Sequence, residues 1–325
     1  MSLDVLCLRP RADFVRIGVE APLHLRVDYR EPSDPSLREL IRSASVLLIP
    51  AVGPKLSPEL LEGTSLKLIQ VTGSGVDRID RDVAIRLGIP VCNVAGGSNG
   101  AVAEYAVTAA STLLRRMTWS SHEIRSGNYT AFRARMVAEN AGGLDGLTVG
   151  IVGFGMIGAA VAEAFAQVGC RIVYHDPAPH STAAAERLGA AGISLDALLA
   201  CADVVSLHVP LVPATRSLIG ARELAAMKPG ALLLQVSRGG VVEEHALAQA
   251  LLSGHLGGAA VDVYSTEPPT PDNALLQVAG DAAHRLLLTP HIAGVTRQSW
   301  AFIFRTAWQN VERVLAGQEP ASRVF

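Results

Sequence analysis

Short apolar runs alternate with stretches that are apolar at helical spacing along almost the whole chain. In the first hundred residues the strand-like runs are Val5–Leu8, Val46–Ile49, Leu66–Val71 and Val91–Val94. Between them, Ser57 followed by Pro58 and the segment Asp80–Leu87 read as helix starts with a capping residue in place. Gly100 to Ser126, apolar at Val102, Tyr105, Ala106, Ala109 and Leu113, predicts one long helix that connects two domains. Gly127–Gly143, which carries Arg133, Arg135 and Glu139, predicts a polar, irregular excursion. The alternation then resumes, with strands at Val149–Val152, Arg171–His175, Val204–His208, Ala231–Val236, Ala259–Val263 and Leu286–Thr289. His245–Leu252 and a last amphipathic stretch, Trp300–Leu315, predict helices. Strands that alternate with helices pair in parallel, because each crossover helix returns the chain to the same edge. The expected fold class is therefore α/β, with two doubly wound parallel-sheet domains: residues 1–98 with 295–325, and an inserted domain at 99–294.

Composition narrows the function classes. With 49% hydrophobic and 18% charged residues in 325, the chain has ample material for two cores. Net charge is −2 with no basic or acidic block, which argues against a nucleic-acid or membrane-surface partner. No apolar run reaches the ~18 residues that a membrane span needs, and Asp4 and Arg9 flank only a short apolar run, so no leader is read and a cytoplasmic location is expected. Cys7, Cys92, Cys170 and Cys201 are widely spaced and form no CxxC pair; reduced thiols, with no metal site, are expected.

The chemistry begins where Val149–Val152 breaks into Gly153-Phe-Gly155-Met156-Ile157-Gly158 and then into a helical pattern. In such a strand–turn–helix the first glycine permits the turn, the second lets a pyrophosphate approach the backbone, and the third lets helix and strand pack closely. The helix N-terminus supplies oriented N–H groups to the phosphates. A second strand follows and ends at Asp176, about where a ribose-binding acid belongs in a dinucleotide site.

Three later segments each end a strand with a chemically loaded residue: Ser237-Arg238-Gly239-Gly240, Asp262-Val-Tyr-Ser-Thr-Glu267-Pro268, and Thr289-Pro-His291-Ile292. Open α/β sheets place ligands at strand C-termini, so these residues converge on one cleft. Singly, each has an ordinary structural explanation: a salt-bridging arginine, a surface glutamate, a core histidine. Together they make a reaction set. Arg238 offers a planar fork for a carboxylate. His291 suits a general acid or base, and Glu267 hydrogen-bonded to it would fix its tautomer.

These motifs, with Gly73-Ser-Gly-Val-Asp77, Gly96-Gly-Ser-Asn-Gly-Ala-Val-Ala-Glu-Tyr105, His208-Val-Pro-Leu211 and Met227-Lys-Pro-Gly230, follow the order of the D-isomer-specific 2-hydroxyacid dehydrogenase family, which the chain resembles over nearly its whole length. The resemblance implies a Rossmann NAD-binding domain inserted in a flavodoxin-like substrate-binding domain, with Arg238, Glu267 and His291 catalytic. It implies that the Met156 and Ile157 amides meet the pyrophosphate and that Asp176 takes the adenine ribose, favouring NAD over NADP. His208, Val209 and Pro210 are expected on the adenine side. Val236, Ser237 and Asp262 are expected at the nicotinamide end, with Arg238, His291 and Gly294 also lining the cofactor. The Ser74 and Gly75 amides resemble the family's carboxylate-binding loop, so a small 2-oxo acid is expected in the interdomain cleft, held also by Arg238 and His291. A homodimer through residues 100–143 is a further expectation of the resemblance.

Departures bear on substrate. Where phosphoglycerate dehydrogenases carry arginines, this chain reads Pro50-Ala-Val-Gly53, with only Lys55 basic nearby, which favours an unphosphorylated acid of the glyoxylate or hydroxypyruvate type. The alternatives are a D-3-phosphoglycerate dehydrogenase that uses Arg78, Arg133 or Arg135 for the phosphate, and, from another class, an NAD(H)-sensing protein like the C-terminal binding corepressors. Pairing of Glu267 with His291 speaks against formate dehydrogenase. Gln235 replaces the usual asparagine, and Leu147 the usual lysine.

Overall fold

The computed structural model describes residues 3–139, 142–178 and 182–325. Asn140 and Ala141 of the expected excursion, and Pro179 and His180 after the ribose-binding acid, lie outside the described residues. The chain divides into two compact units, one running to Ser98 and resuming at Val295–Phe325, the other Asn99–Gly294.

The first unit is built on β1 (Leu3–Cys7), β2 (Val27–Tyr29), β3 (Ala44–Pro50), β4 (Leu68–Thr72) and β5 (Val91–Cys92), all parallel in the order 2-1-3-4-5. This is the flavodoxin-like winding. Successive side chains point to opposite faces, and both faces are covered. Leu6, Leu47, Ile49, Ile69 and Val71 pack with Leu37 and Ile41 on one side, while Val5, Cys7, Val46, Leu48 and Leu68 pack with Phe14, Phe304, Trp308 and Val311 on the other. The final helix, Arg297–Leu315, starts at a Thr296 cap that accepts from Ser299 N. It is keyed to the sheet by one buried polar pair: Asn310 Nδ2 donates to Gln70 Oε1 at 2.6 Å, and Asn310 Oδ1 accepts from Ala321 N at 2.7 Å.

The second unit carries β6 (Thr148–Val152), β7 (Arg171–His175), β8 (Ala191–Gly192), β9 (Val204–Leu207), β10 (Leu232–Gln235), β11 (Gly258–Val261) and β12 (Leu286–Leu288). Their order, 12-11-10-9-6-7-8, is a Rossmann sheet with one added strand, and every pairing is parallel. Helices Asn99–Leu114 and Met156–Gln167 cover one face through small residues, Ala103, Ala106 and Ala110 with Ala159 and Ala162. Helices Leu195–Cys201, Ala221–Ala226 and Glu244–Leu252 cover the other. The winding reverses between β6 and β9, which opens the ligand-binding edge at their C-terminal ends.

Two expectations are corrected. The stretch Gly100–Ser126 is not one helix but two, Asn99–Leu114 and Met117–Arg125, because Arg116 sits at φ 49°, a left-handed conformation through which a right-handed helix cannot run. Arg116 is held there by an ion pair with Glu139 at 2.7 Å and by its guanidinium over the Trp119 ring. The excursion is not irregular either: Tyr129–Ala138 is a helix, whose Phe132 packs on buried Trp119. Within it Arg135 is paired with Glu139 and Asp281.

Candidate active site

Two of the three glycines of the turn have no room for a side chain. Gly153 has φ 94°, and a Cβ there would lie 2.7 Å from His208 O; one at Gly158 would lie 2.0 Å from Gly153 O. Gly155 differs, since its Cβ position meets nothing within 4 Å. It precedes the helix Met156–Gln167, whose N-terminus receives no side-chain cap. First-turn N–H groups, including those of Met156 and Ile157, therefore face an open surface suited to an anion. Asp176 closes the turn from β7: its two carboxylate oxygens accept from Phe154 N at 2.7 Å and Ala178 N at 2.8 Å, and each keeps a lone pair for a further donor.

At the end of β9, His208 Nε2 meets Ser206 Oγ at 2.8 Å, while its buried Nδ1 has no hydrogen-bond partner among the described residues. Burial pushes the imidazole down to about 3, so it is neutral at ordinary pH. Val209 and Pro210 continue outward from it, half-buried and exposed respectively. An open glycine over an uncapped helix N-terminus, a carboxylate one strand away and an orphaned buried nitrogen on the next strand together fit a dinucleotide.

The three loaded loops are tied to one another. In the first, Gln235 is buried and organises the turn after β10: its Nε2 donates to Arg238 O at 2.8 Å and its Oε1 accepts from Ser237 Oγ at 2.8 Å. Val236 and Arg238 are half-buried, and Arg238 Nη1 donates to Ser237 O at 2.8 Å. In the second, Glu267 Oε1 accepts from Tyr264 N at 3.1 Å, and Oε2 lies 2.8 Å from His291 Nδ1 in the third. A carboxylate only accepts, so Nδ1 carries the hydrogen and Nε2 is left for a reacting group. Burial alone would raise the Glu267 pKa; hydrogen bonds from His291 and Tyr264 N, with the charges of His291 and Arg238, outweigh it and hold the carboxyl below its usual range.

His291 has φ 55°, an uncommon conformation for a side-chain-bearing residue. Asp262 maintains it. The His291 amide donates to Asp262 O at 2.9 Å, and the buried Asp262 carboxylate accepts from Thr289 Oγ1 at 2.6 Å, Ile292 N at 2.8 Å and Ala293 N at 2.8 Å. The side chain expected at the nicotinamide end is thus engaged by the loop that carries His291, which runs on to Gly294. Ser74 and Gly75 belong to the other unit, in the turn after β4, where Asn93 Nδ2 donates to Ser74 O at 2.7 Å.

Two residues were missed in the sequence. Tyr264 donates its hydroxyl to Thr289 O at 3.0 Å while its amide holds Glu267. Glu244 accepts from Ser265 N and Asn273 Nδ2, both at 2.6 Å, bracing the chain on both sides of the Glu-Pro turn. A tyrosine two places after a strand-end aspartate was the only sequence signal for the first; the second had none, because its partners are about 20 or more positions away.

Arg78, offered above as a phosphate ligand, is only 4% exposed and spends its guanidinium on the carbonyls of Pro50, Val52 and Pro54. Among the described residues, no group of three His, Cys, Asp or Glu could hold a metal ion, and no helix is long and apolar enough to cross a membrane.

Fold and site define a two-unit dinucleotide-binding α/β oxidoreductase. Residues 107–293 match the family model for the D-isomer specific 2-hydroxyacid dehydrogenase NAD-binding domain. The chain is 40% identical over 250 residues to the (S)-sulfolactate dehydrogenase of Chromohalobacter salexigens, covering 77% of this chain and 78% of the relative. It is 32% identical over 321 residues to the D-3-phosphoglycerate dehydrogenase of Mycobacterium tuberculosis, but spans only 58% of that protein's length. The crystal structure of a glyoxylate reductase from Paecilomyes thermophila superposes with a TM-score of 0.82 at 27% identity, covering 99% of this chain and 98% of that one. The chain belongs to the D-isomer-specific 2-hydroxyacid dehydrogenase family. It is an oxidoreductase that acts on the CH–OH group of a 2-hydroxy acid with NAD.

Proposed function

We propose that the protein interconverts a small unphosphorylated 2-oxo acid and its D-2-hydroxy acid, with Arg238, Glu267 and His291 as catalytic residues. The observation that carries this reading is the 2.8 Å contact between Glu267 and His291 Nδ1, which leaves Nε2 as the one ring position that can exchange a proton with the substrate oxygen. Bound NAD supplies the hydride acceptor, or as NADH the donor, at the nicotinamide ring. In the reducing direction His291 donates its Nε2 proton to the carbonyl oxygen while Glu267 orients the ring through Nδ1. In the oxidising direction the neutral ring takes the hydroxyl proton. Arg238 holds the substrate carboxylate through its guanidinium fork.

The cofactor is assigned to the glycine turn, with Met156 and Ile157 at the pyrophosphate, Asp176 at the ribose, His208, Val209 and Pro210 at the adenine side, and Val236 and Ser237 toward the nicotinamide. Residues 99–294 are the NAD-binding domain in this reading, and the remainder binds substrate. An unphosphorylated acid is supported by the engagement of Arg78 and Arg135 with protein groups. A homodimer through residues 100–143 is supported by Met117, Ile124, Tyr129 and Val137, apolar side chains left exposed there.

The test is loss of reduced-nicotinamide absorbance with NADH and NADPH, against glyoxylate, hydroxypyruvate, pyruvate, sulfopyruvate, a bulkier apolar 2-oxo acid and phosphohydroxypyruvate. Turnover with NADH on an unphosphorylated acid, lost in His291→Ala while NADH binding persists, is the expected result. Reaction with phosphohydroxypyruvate alone would overturn the substrate class, and tight NADH binding without any turnover would favour a sensor.

A further inference from the structure

We propose that Tyr105, on the helix Asn99–Leu114, is a positioning residue for His291, acting through Thr289 and Asp262; this rests on the reading of His291 as the acid/base. Tyr105 OH and Thr289 Oγ1 are 2.6 Å apart, and Thr289 Oγ1 donates to Asp262 Oδ1 at 2.6 Å. The Thr289 hydroxyl has one proton, already committed to a carboxylate that only accepts, so Tyr105 must be the donor to Thr289. The hydrogen bonds therefore run one way, from Tyr105 to Thr289 to Asp262. Burial raises the Tyr105 hydroxyl to about 12, so the donor keeps its proton across the working range.

The far end of this relay is the loop that carries His291. Asp262 takes the amides of Ile292 and Ala293 on its side chain and that of His291 on its carbonyl, and between them these three bonds hold the loop in the turn that gives His291 its φ of 55°. A left-handed residue persists only where its surroundings over-determine it. Here part of that determination comes from a helix on the covering layer, 184 positions away in the chain, not from the loop alone. Thr289 is the hinge of the device, since its hydroxyl faces the helix while its carbonyl accepts from Tyr264 OH, the residue whose amide orients Glu267.

Loss of the Tyr105 hydroxyl leaves the acceptor side of Thr289 bare and frees that side chain to rotate away from Asp262. The consequence falls on the orientation of the imidazole and so on proton transfer, while the substrate carboxylate and the pyrophosphate and adenine half of NADH meet other groups. Tyr105→Phe and Thr289→Val are each expected to lower kcat about tenfold, an effect of the size that one lost buried hydrogen bond produces, with KM for the 2-oxo acid and Kd for NADH within about twofold. Because the two act in series, the double variant should be no slower than Thr289→Val, and Thr289→Ser, which keeps the hydroxyl, should restore most of the rate. The comparison uses the full-length protein with NADH and its best 2-oxo acid, with His291→Ala in parallel. Normal turnover in His291→Ala would overturn the acid/base reading itself. Loss in His291→Ala with wild-type kcat in Tyr105→Phe, additive losses in the double variant, or a KM and Kd that rise together with the fall in kcat would overturn the relay alone.

Discussion

Gly239 stands so close to Tyr264 that a Cβ built on it would lie 1.7 Å from the Tyr264 carbonyl oxygen and 2.7 Å from Ser265 N. The turn that carries Arg238 and the loop that leads to Glu267 are in backbone contact, and no side-chain rotation can open that contact. The same tyrosine gives its amide to Glu267 and its hydroxyl to Thr289 O. Arginine, glutamate and histidine are thereby positioned by one cluster instead of by three independent loops.

Gly239→Ala should consequently move all three at once. A backbone overlap of this depth has to be relieved by displacing the turn, and over-packing in a tight region typically costs about 1–3 kcal/mol. Thermal unfolding should show that loss, and kcat/KM should fall by more than 100-fold, because Arg238 and the Tyr264–Glu267 contact shift together. A variant that unfolds at the wild-type temperature and turns over normally would show that the two turns move apart freely.

Much of this organisation was legible in the sequence because it is written in local spacing. Gly153, Gly155 and Gly158 announce a strand–turn–helix, and the apolar runs before Arg238, Asp262 and His291 announce strand ends, so the residues that matter to one sheet edge could be gathered without coordinates. What escaped depends on partners distant in the chain. The break at Arg116 follows from Glu139 and Trp119, and the helix Tyr129–Ala138 from packing of Phe132 on that same tryptophan. Strands as short as Val27–Tyr29 and Ala191–Gly192 exist because a longer neighbour pairs with them, not because of their own pattern. Tyr105 was read as one apolar position of a helix and as the end of a family motif; its hydroxyl acquires meaning when Thr289 is brought to 2.6 Å.

Asp176 does two jobs that substitutions can separate. Its carboxylate accepts Phe154 N and Ala178 N within the protein, and in the proposed site it also takes the ribose hydroxyls and repels a 2′-phosphate. Asp176→Asn keeps one acceptor, for the buried Phe154 N, gives up the bond to exposed Ala178 N and removes the charge; Asp176→Ala removes all three. Each should lower kcat/KM for NADH about tenfold or more, since a hydrogen bond to a charged acceptor is worth about 1.5–3 kcal/mol, and each should raise the NADPH-to-NADH ratio. Only the alanine variant should also lose thermal stability, through the orphaned Phe154 amide. An unchanged cofactor ratio in both would mean that another group selects the cofactor.

His208 makes acid stability a readout of the cofactor-binding edge. Although part of the residue reaches solvent, its Nδ1 is buried, and burial lowers the imidazole from an ordinary value of 6.5 to about 3. The folded unit therefore keeps the ring neutral where the unfolded chain protonates it. Protons then favour the unfolded state, so the contribution of this neutral ring is complete above pH 6.5 and is lost progressively as pH falls from 6.5 toward 3. The slope is at most about 1.4 kcal/mol per pH unit for one group. His208→Gln retains an amide for Ser206 but does not titrate, and the carboxylates common to both proteins cancel in the comparison. Urea unfolding of wild type and variant at a series of pH values from 7.5 to 4.5 should thus give a stability difference that moves steadily in favour of the variant as the solution becomes more acidic. A difference that stays constant over that range would mean that the ring is protonated within the fold, which would in turn require an acceptor or solvent at Nδ1 and remove one of the observations that fit a dinucleotide at this edge.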